Sequence, residues 1–321
     1  MLMKKNIIWM IKLAVMAAIF AFVGVKLASA WHNVGLQHLR LDWRFEPLIP
    51  LAFLGIMTAG ALTWLWLARR MGDRSPTVPL LGAYTFSQAG KYAPGKVFLV
   101  LMRVDRTHRA GMSRETCVLS TLLENAMYTL SGALVGAVAL LVVARDHPLY
   151  LGLCALLILL LLGVFHPRVF FPLLNMALKS IKRGPIAPGR RFRLAHMVGA
   201  VIMFLPCWIF GGLALWASVR AMQPIALYDW PRLCGVFALS VSLGMFSLLP
   251  GGLGVREAVQ ALFLAPLVSS PAIVVAVVAL PRVFQIMVEL TLAGLGGAIN
   301  ARLTSKHAPA TAASDPGGIP L

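Results

Sequence analysis

Apolar runs of membrane-spanning length alternate along this chain with short segments rich in basic residues. Residues 13–30, 47–67, 116–143, 149–165 and 195–218 are almost continuously apolar. A helix rises about 1.5 Å per residue, so roughly 20 residues cross a hydrocarbon core about 30 Å thick. These runs predict membrane helices. After residue 218 the pattern becomes ambiguous: apolar segments at 233–249, 253–268 and 272–299 are separated by breakers. The stretch "SLLPGGLGVRE" (247–257) sets Pro250, Gly251, Gly252 and Gly254 just ahead of two ions, Arg256 and Glu257.

Basic residues give the runs a direction. Lys4, Lys5 and Lys12 precede the first run; Arg69, Arg70 and Arg74 follow the second. Arg103, Arg106, Arg109 and Arg114 precede the third. The segment 166–193 carries Arg168, Lys179, Lys182, Arg183, Arg190, Arg191 and Arg193 without an acid. The positive-inside bias puts these segments, and with them the N-terminus, in the cytoplasm. Segments 68–79 and 103–115 then lie on one side, although the apolar "LLGAYTFSQAGKYAPGKVFLVLM" runs between them. That stretch cannot be a simple span. It reads as a re-entrant hairpin near 80–102, turning at Gly90, Pro94 and Gly95, because non-helical backbone at membrane depth needs protein or a wet cavity around it. Segment 233–268 reads either as a second hairpin, from the outside, or as two full spans; both place the turn at "PGGLG" and the tail in the cytoplasm. The expected fold is an all-α polytopic membrane protein of about six to eight transmembrane helices with one or two re-entrant hairpins. If the hairpins enter from opposite faces, the halves form an inverted repeat.

Composition agrees. Of 321 residues, 59% are hydrophobic and only 12% charged, against about 25% charged in ordinary soluble domains, and the mean hydropathy is +0.82. The net charge of +18 sits in the short connections, so it suits anionic lipid headgroups rather than nucleic acid. The four cysteines form no Cys-x-x-Cys pair and the histidines no metal-ligand spacing, so neither a metal nor a cofactor is called for. "MLMKKN", an apolar run and "ASA" resemble a cleavable leader, but the length of the run and the bracketing Lys12 and Lys26 favour a retained helix. Residues 168–183 place Phe170, Leu174, Ala177, Leu178 and Ile181 on one face beside Lys179, Lys182 and Arg183, the pattern of an interfacial helix. The expected organisation is a single membrane domain over 1–300 and a disordered polar tail over 301–321. Trp31, Trp43, Trp64, Trp66 and Trp230 read as interfacial anchors; Gly132 with Gly136, and Gly211 with Gly212, suit close helix packing.

Charges within apolar segments are costly and so carry the candidate chemistry. Lys91 and Lys96 flank the first break, and Glu124 lies in the third helix near Thr121, Asn125 and Tyr128. Arg256 and Glu257 start a helix after the second break, where free N–H groups and the guanidinium could hold an anion such as phosphate. The alternative is structural: Glu257 caps the helix and Arg256 snorkels. Arg282, Gln285 and Glu289 share a helix face, which lines the interior or a cavity, or forms a packing pair with Glu124 or Glu257. Glu124 could pair with Lys91, Lys96 or Arg103, or bind a proton. No Walker loop, dinucleotide fingerprint or nucleophile elbow is present.

"GKYAPGKVFLVLMR", "GMSRETCVLSTLLE", "PGGLGVREAVQALFL" and a last helix with Arg282 and Glu289 together resemble the lysylphosphatidylglycerol synthase transmembrane region, also called flippase-like integral membrane proteins, over about residues 8–300. The resemblance implies a lipid translocase of the bacterial inner membrane. Its substrate would be a phosphate-containing lipid or lipid-linked headgroup: an aminoacyl-phospholipid, glycolipid, hopanoid or polyprenyl-phosphate sugar. The matching positions are Lys91, Pro94, Gly95, Lys96, Arg103, Glu124, Pro250, Gly251, Gly252, Gly254, Arg256, Glu257, Arg282 and Glu289; Gln285 joins them from the residue reading. Asn125 and Tyr128 stand where many relatives carry Arg and Asp, and the soluble synthase domain of the fused relatives does not follow the last helix. Two rival readings are a membrane-embedded transferase using a lipid-linked donor, with Glu124 or Glu257 as base, and a scaffold for a glycosyltransferase or lipid synthase.

Overall fold

The structure, a computed structural model, describes residues 41–92, 97–143, 148–180, 184, 186, 192–247 and 250–306. The helix expected over 13–30, the Pro94-Gly95-Lys96 turn, Ile181, Lys182, Arg183 and residues 307–321 lie outside the described residues. All regular structure among the described residues is helical: α1 (Leu48–Arg70), α2 (Thr77–Gln88), α3 (Val97–Arg109), α4 (Arg114–Val143), α5 (Pro148–Phe165), α6 (Pro167–Ser180), α7 (Leu194–Arg220), α8 (Trp230–Phe246), α9 (Val255–Leu264) and α10 (Pro271–Lys306). Short 3-10 turns at Ala89–Tyr92 and Pro250–Gly252 lie within the two breaks. α10 continues past residue 300, so the expected tail begins as helix.

Length sorts these elements. α1, α4, α5, α7 and α10 are long and apolar enough to cross a membrane. α2 and α3, of 12 and 13 residues, reach only about 18–20 Å, and α9, of 10 residues, only about 15 Å. Each pairs with a neighbour instead: α2 packs on α3, and α8 on α9. α1 stops where Arg69 closes the turn after it, pairing with Asp73 at 2.8 Å and donating to the Ser75 carbonyl at 2.6 Å. α5 is the peripheral helix. Only 6% of its apolar window is buried in protein, and a helix apolar all round needs lipid on its open faces.

The packing repeats itself. α1 lies along α7; α2 lies along α10, and α8 along α4. Exchanging α1–α4 for α7–α10 maps these pairs onto one another, and also maps the α1–α4 contact onto α7–α10. The two 3-10 breaks touch each other, so they sit at the centre of the exchange. Close approach makes it feasible: a Cβ at Gly136 would stand 2.8 Å from the Leu239 side chain, where α4 meets α8. Ser242 of α8 donates across the same seam to the Thr129 carbonyl at 3.1 Å.

α6 turns Phe170 and Phe171 into a core shared with Leu123, Met127 and Phe204, with Leu174 packed beside them. Its other side leaves Val169, Leu173 and Met176 exposed. Of the expected apolar face, the side chains of Ala177 and Leu178 lie outside the described residues, as does Ile181.

Candidate functional site

The charged side chains gather in two buried clusters. The first is built by α1 to α4. Arg103, fully buried on α3, pairs with Glu124 of α4. Its Nε donates to the Ser87 hydroxyl at 3.0 Å and one Nη to the Thr121 hydroxyl at 3.4 Å. Tyr84 of α2 donates to the other Glu124 oxygen at 2.9 Å. The guanidinium lies 4.3 Å from the Tyr84 ring centre and 5.0 Å from that of Trp64. A cation stripped of water is thus compensated by one carboxylate, two hydroxyls and two aromatic faces. Trp64 is buried beneath the arginine, not an interfacial anchor as its position along the chain suggests. Trp43 is strongly exposed, as an anchor would be.

The second cluster centres on α10. Three positions on one face, Arg282, Gln285 and Glu289, are all buried and chained: Arg282 donates to Gln285 Oε1 at 3.0 Å, and Gln285 Nε2 to Glu289 Oε1 at 2.7 Å. Both breaks are fastened to this face. From the first, Lys91 donates to Glu289 Oε1 at 2.5 Å, and the Tyr92 hydroxyl bonds the other carboxylate oxygen. From the second, the Gly251 carbonyl accepts from Arg282 at 2.6 Å, and Arg282 Nε stands 3.3 Å from Glu257.

The glycines of the second break are needed for their backbone. Gly251, Gly252 and Gly254 have φ of +60°, +71° and +84°, a region that a Cβ makes costly. At the start of α9 the Gly254 N–H donates to Glu257 at 2.6 Å. Glu257 therefore caps the helix and also pairs with Arg282. Arg256 differs from both. It is buried, its guanidinium lies 5.5 Å from the Phe237 ring centre, and its Nε, like Arg282 Nε and Arg103 Nη2, has no hydrogen-bond partner. No carboxylate among the described residues forms an ion pair with it. Lys91, Arg256 and Arg282 stand within electrostatic reach of one another, and Glu257 and Glu289 answer two of them. Arg256 is the cation with no carboxylate in contact, although Glu257 and Glu289 lie within electrostatic reach of it as well.

Of the residues singled out from sequence, Lys91, Gly251, Arg256, Glu257, Arg282, Gln285 and Glu289 meet in the second cluster, with Gly252 and Gly254 shaping its turn. Pro250 belongs to the same 3-10 turn. Arg103 and Glu124 form the first cluster with each other; Glu124 takes neither Lys91 nor an α10 residue. Tyr84, Ser87 and Trp64 in the first cluster and Tyr92 in the second were not expected. Tyr92 could have been found, since it lies inside the quoted "GKYAPGK" motif. Tyr84 and Trp64 carry no local signal, because the Tyr84 hydroxyl and both ring faces acquire partners only across helices.

A family model described as the lysylphosphatidylglycerol synthase TM region matches residues 9–294. No curated protein matches the chain.

Proposed function

The chain belongs to the lysylphosphatidylglycerol synthase transmembrane-region family, and from that premise we propose that this multi-pass membrane protein is a lipid translocase for a phosphate-bearing headgroup. The carrying observation is Arg256: a buried guanidinium beside the paired breaks, with no carboxylate partner among the described residues. A buried charge without a counter-ion is expensive, and a lipid phosphate entering between the breaks supplies one. Neighbouring cations are already answered by Glu289 and Glu257, which favours a single anionic group. The acyl or prenyl chains remain in the bilayer while the headgroup passes. Short, broken helices suit this passage, since their ends supply polar groups at membrane depth where a continuous helix has none to spare.

The test uses purified full-length protein in proteoliposomes. Fluorescently tagged phosphatidylglycerol becomes accessible to an external quencher as it changes leaflet; tagged glucosylceramide, with a neutral headgroup, is the control. Wild type moves the first and not the second. Arg256→Ala abolishes movement of phosphatidylglycerol while the protein keeps its elution profile and melting temperature. Undiminished movement in a folded Arg256→Ala protein overturns the site. Equal movement of both lipids overturns the phosphate reading.

A further inference from the structure

Gly244 lies buried in the last turn of α8, with an ordinary helical backbone that any residue could adopt. Helix propensity favours alanine over glycine at such a position. What Gly244 faces explains the exception. A Cβ there would stand 2.5 Å from Arg256 Cγ and 3.1 Å from Arg256 Cδ. From the other side, a Cβ at Gly252 would stand 3.2 Å from the same Cδ. The arginine stem therefore runs through a slot with two glycine walls, one from α8 and one from the second break. Other helix glycines admit uncharged groups, as Gly136 admits Leu239 and Gly211 admits Phe237. Among the described residues, Gly244 is the one glycine within an α-helix whose nearest neighbour at the Cβ position is a charged side chain.

Beyond the slot the guanidinium lies 5.5 Å from the Phe237 ring centre. Phe237 precedes Gly244 by seven residues, two turns along the same face of α8. The arginine is thus laid along α8. Midway, the Ser240 hydroxyl accepts from Gln260 Nε2 at 3.0 Å, and Gln260 follows Arg256 by one turn of α9. That bond holds α9 against α8, so the helices do not part freely to admit a Cβ at position 244. The stem is the part that yields, and a displaced Cγ carries the whole guanidinium with it.

We propose that Gly244 is a positioning residue: with Gly252 it forms the slot that lays the Arg256 stem along α8, and so sets where the guanidinium meets a headgroup phosphate. The proposal rests on the translocase reading of Arg256 and adds the device that aims it. Charge attracts an anion from many positions, but a hydrogen bond to a phosphate oxygen depends on where the guanidinium N–H groups point. α8 accordingly governs how well the phosphate is held without touching it.

The experiment uses purified full-length protein and compares wild type, Gly244→Ala, Arg256→Ala, the double variant and Gly136→Ala. In detergent melts, Gly244→Ala lowers the melting temperature of wild type but not of Arg256→Ala, in which no stem fills the slot. An equal drop in both backgrounds overturns the slot. If Gly244→Ala alone does not fold, a folded double variant supports the slot and an unfolded one overturns it. In proteoliposomes with a varied mole fraction of tagged phosphatidylglycerol, Gly244→Ala raises the half-saturating mole fraction about tenfold, the worth of a hydrogen bond to a charged group, with the maximal rate retained. Gly136→Ala, whose Cβ would stand 2.8 Å from Leu239, strains the packing of α8 away from Arg256; the same rise there overturns the aiming role. A Gly244→Ala protein that saturates like wild type, while Arg256→Ala is inactive, overturns the proposal and leaves the translocase reading standing. If Arg256→Ala moves lipid normally, both fall together.

Discussion

Arg103 and Arg256 are both buried cations in an apolar chain, but their surroundings are opposite. Arg103 is enclosed by Glu124, Ser87, Thr121 and two aromatic faces. Arg256 has one aromatic face and no carboxylate partner among the described residues. The first arrangement is a lock and the second an open valence. Removing one member of a buried pair strands the other, at about 3–5 kcal/mol. Arg103→Ala is therefore expected to destabilise the protein by that amount in detergent melts. Arg103→Met combined with Glu124→Leu, which removes both charges, should recover most of the loss. If the double variant is no more stable than Arg103→Ala, the pair is not what holds α3 to α4. Sequence identifies Arg256 as an intramembrane charge but counts Arg103 with a cytoplasmic segment; Arg103 is instead fully buried, and its partners are brought to it only by helix packing.

At the scale of elements, the decisive feature is the break. Proline and glycine mark both interruptions in the sequence, and the glycines after Pro250 do adopt the left-handed conformations that such residues permit. A Cβ at Gly252 would add strain from φ and would stand 3.0 Å from the Gly244 Cα on the facing helix. Gly252→Ala should cost at least about 1–2 kcal/mol and push the break away from α8. Because Gly251 next to it holds Arg282 by its carbonyl, lipid movement should fall further than the stability loss alone explains. Normal transport by a measurably destabilised Gly252→Ala protein would separate the break from the function. Helix limits were close to legible from hydropathy: the run read at 47–67 is α1, and that at 149–165 is α5. The end of α10 was not, since its last turns carry polar residues that continue the helix beyond the apolar stretch.

The whole molecule is organised by the exchange of its halves, in which α2 packs on α10 and α8 on α4. Parity links this to the membrane. If each short-helix pair returns to the side it came from, the spans α4 and α5 separate α1 from α7, and α1 and α7 then run in opposite directions. On that condition the repeat is inverted, as in many transporters. In a protein freed of its native cysteines, Arg74→Cys and Arg109→Cys should be labelled by an impermeant thiol reagent from the cytoplasmic side, flanking the first hairpin. Tyr228→Cys and Ser269→Cys should be labelled from the opposite side, flanking the second. Labelling of either pair from two different sides would make that hairpin a full crossing and break the inversion.

By itself the sequence determined the class of the molecule, most of its long helices, the two breaks and, Arg103 apart, the residues at which charge enters the apolar interior. These follow from local physics: hydrocarbon tolerates only apolar helix of sufficient length, and proline, glycine and charge violate that rule conspicuously. Only the tertiary structure decided the pairings. Which acid answers which base depends on the distance between helices far apart in the chain, as with Lys91 and Glu289. Because an ion buried from water must be met by whatever lies nearest, packing alone could divide the charges into a closed lock at Arg103 and an unanswered cation at Arg256.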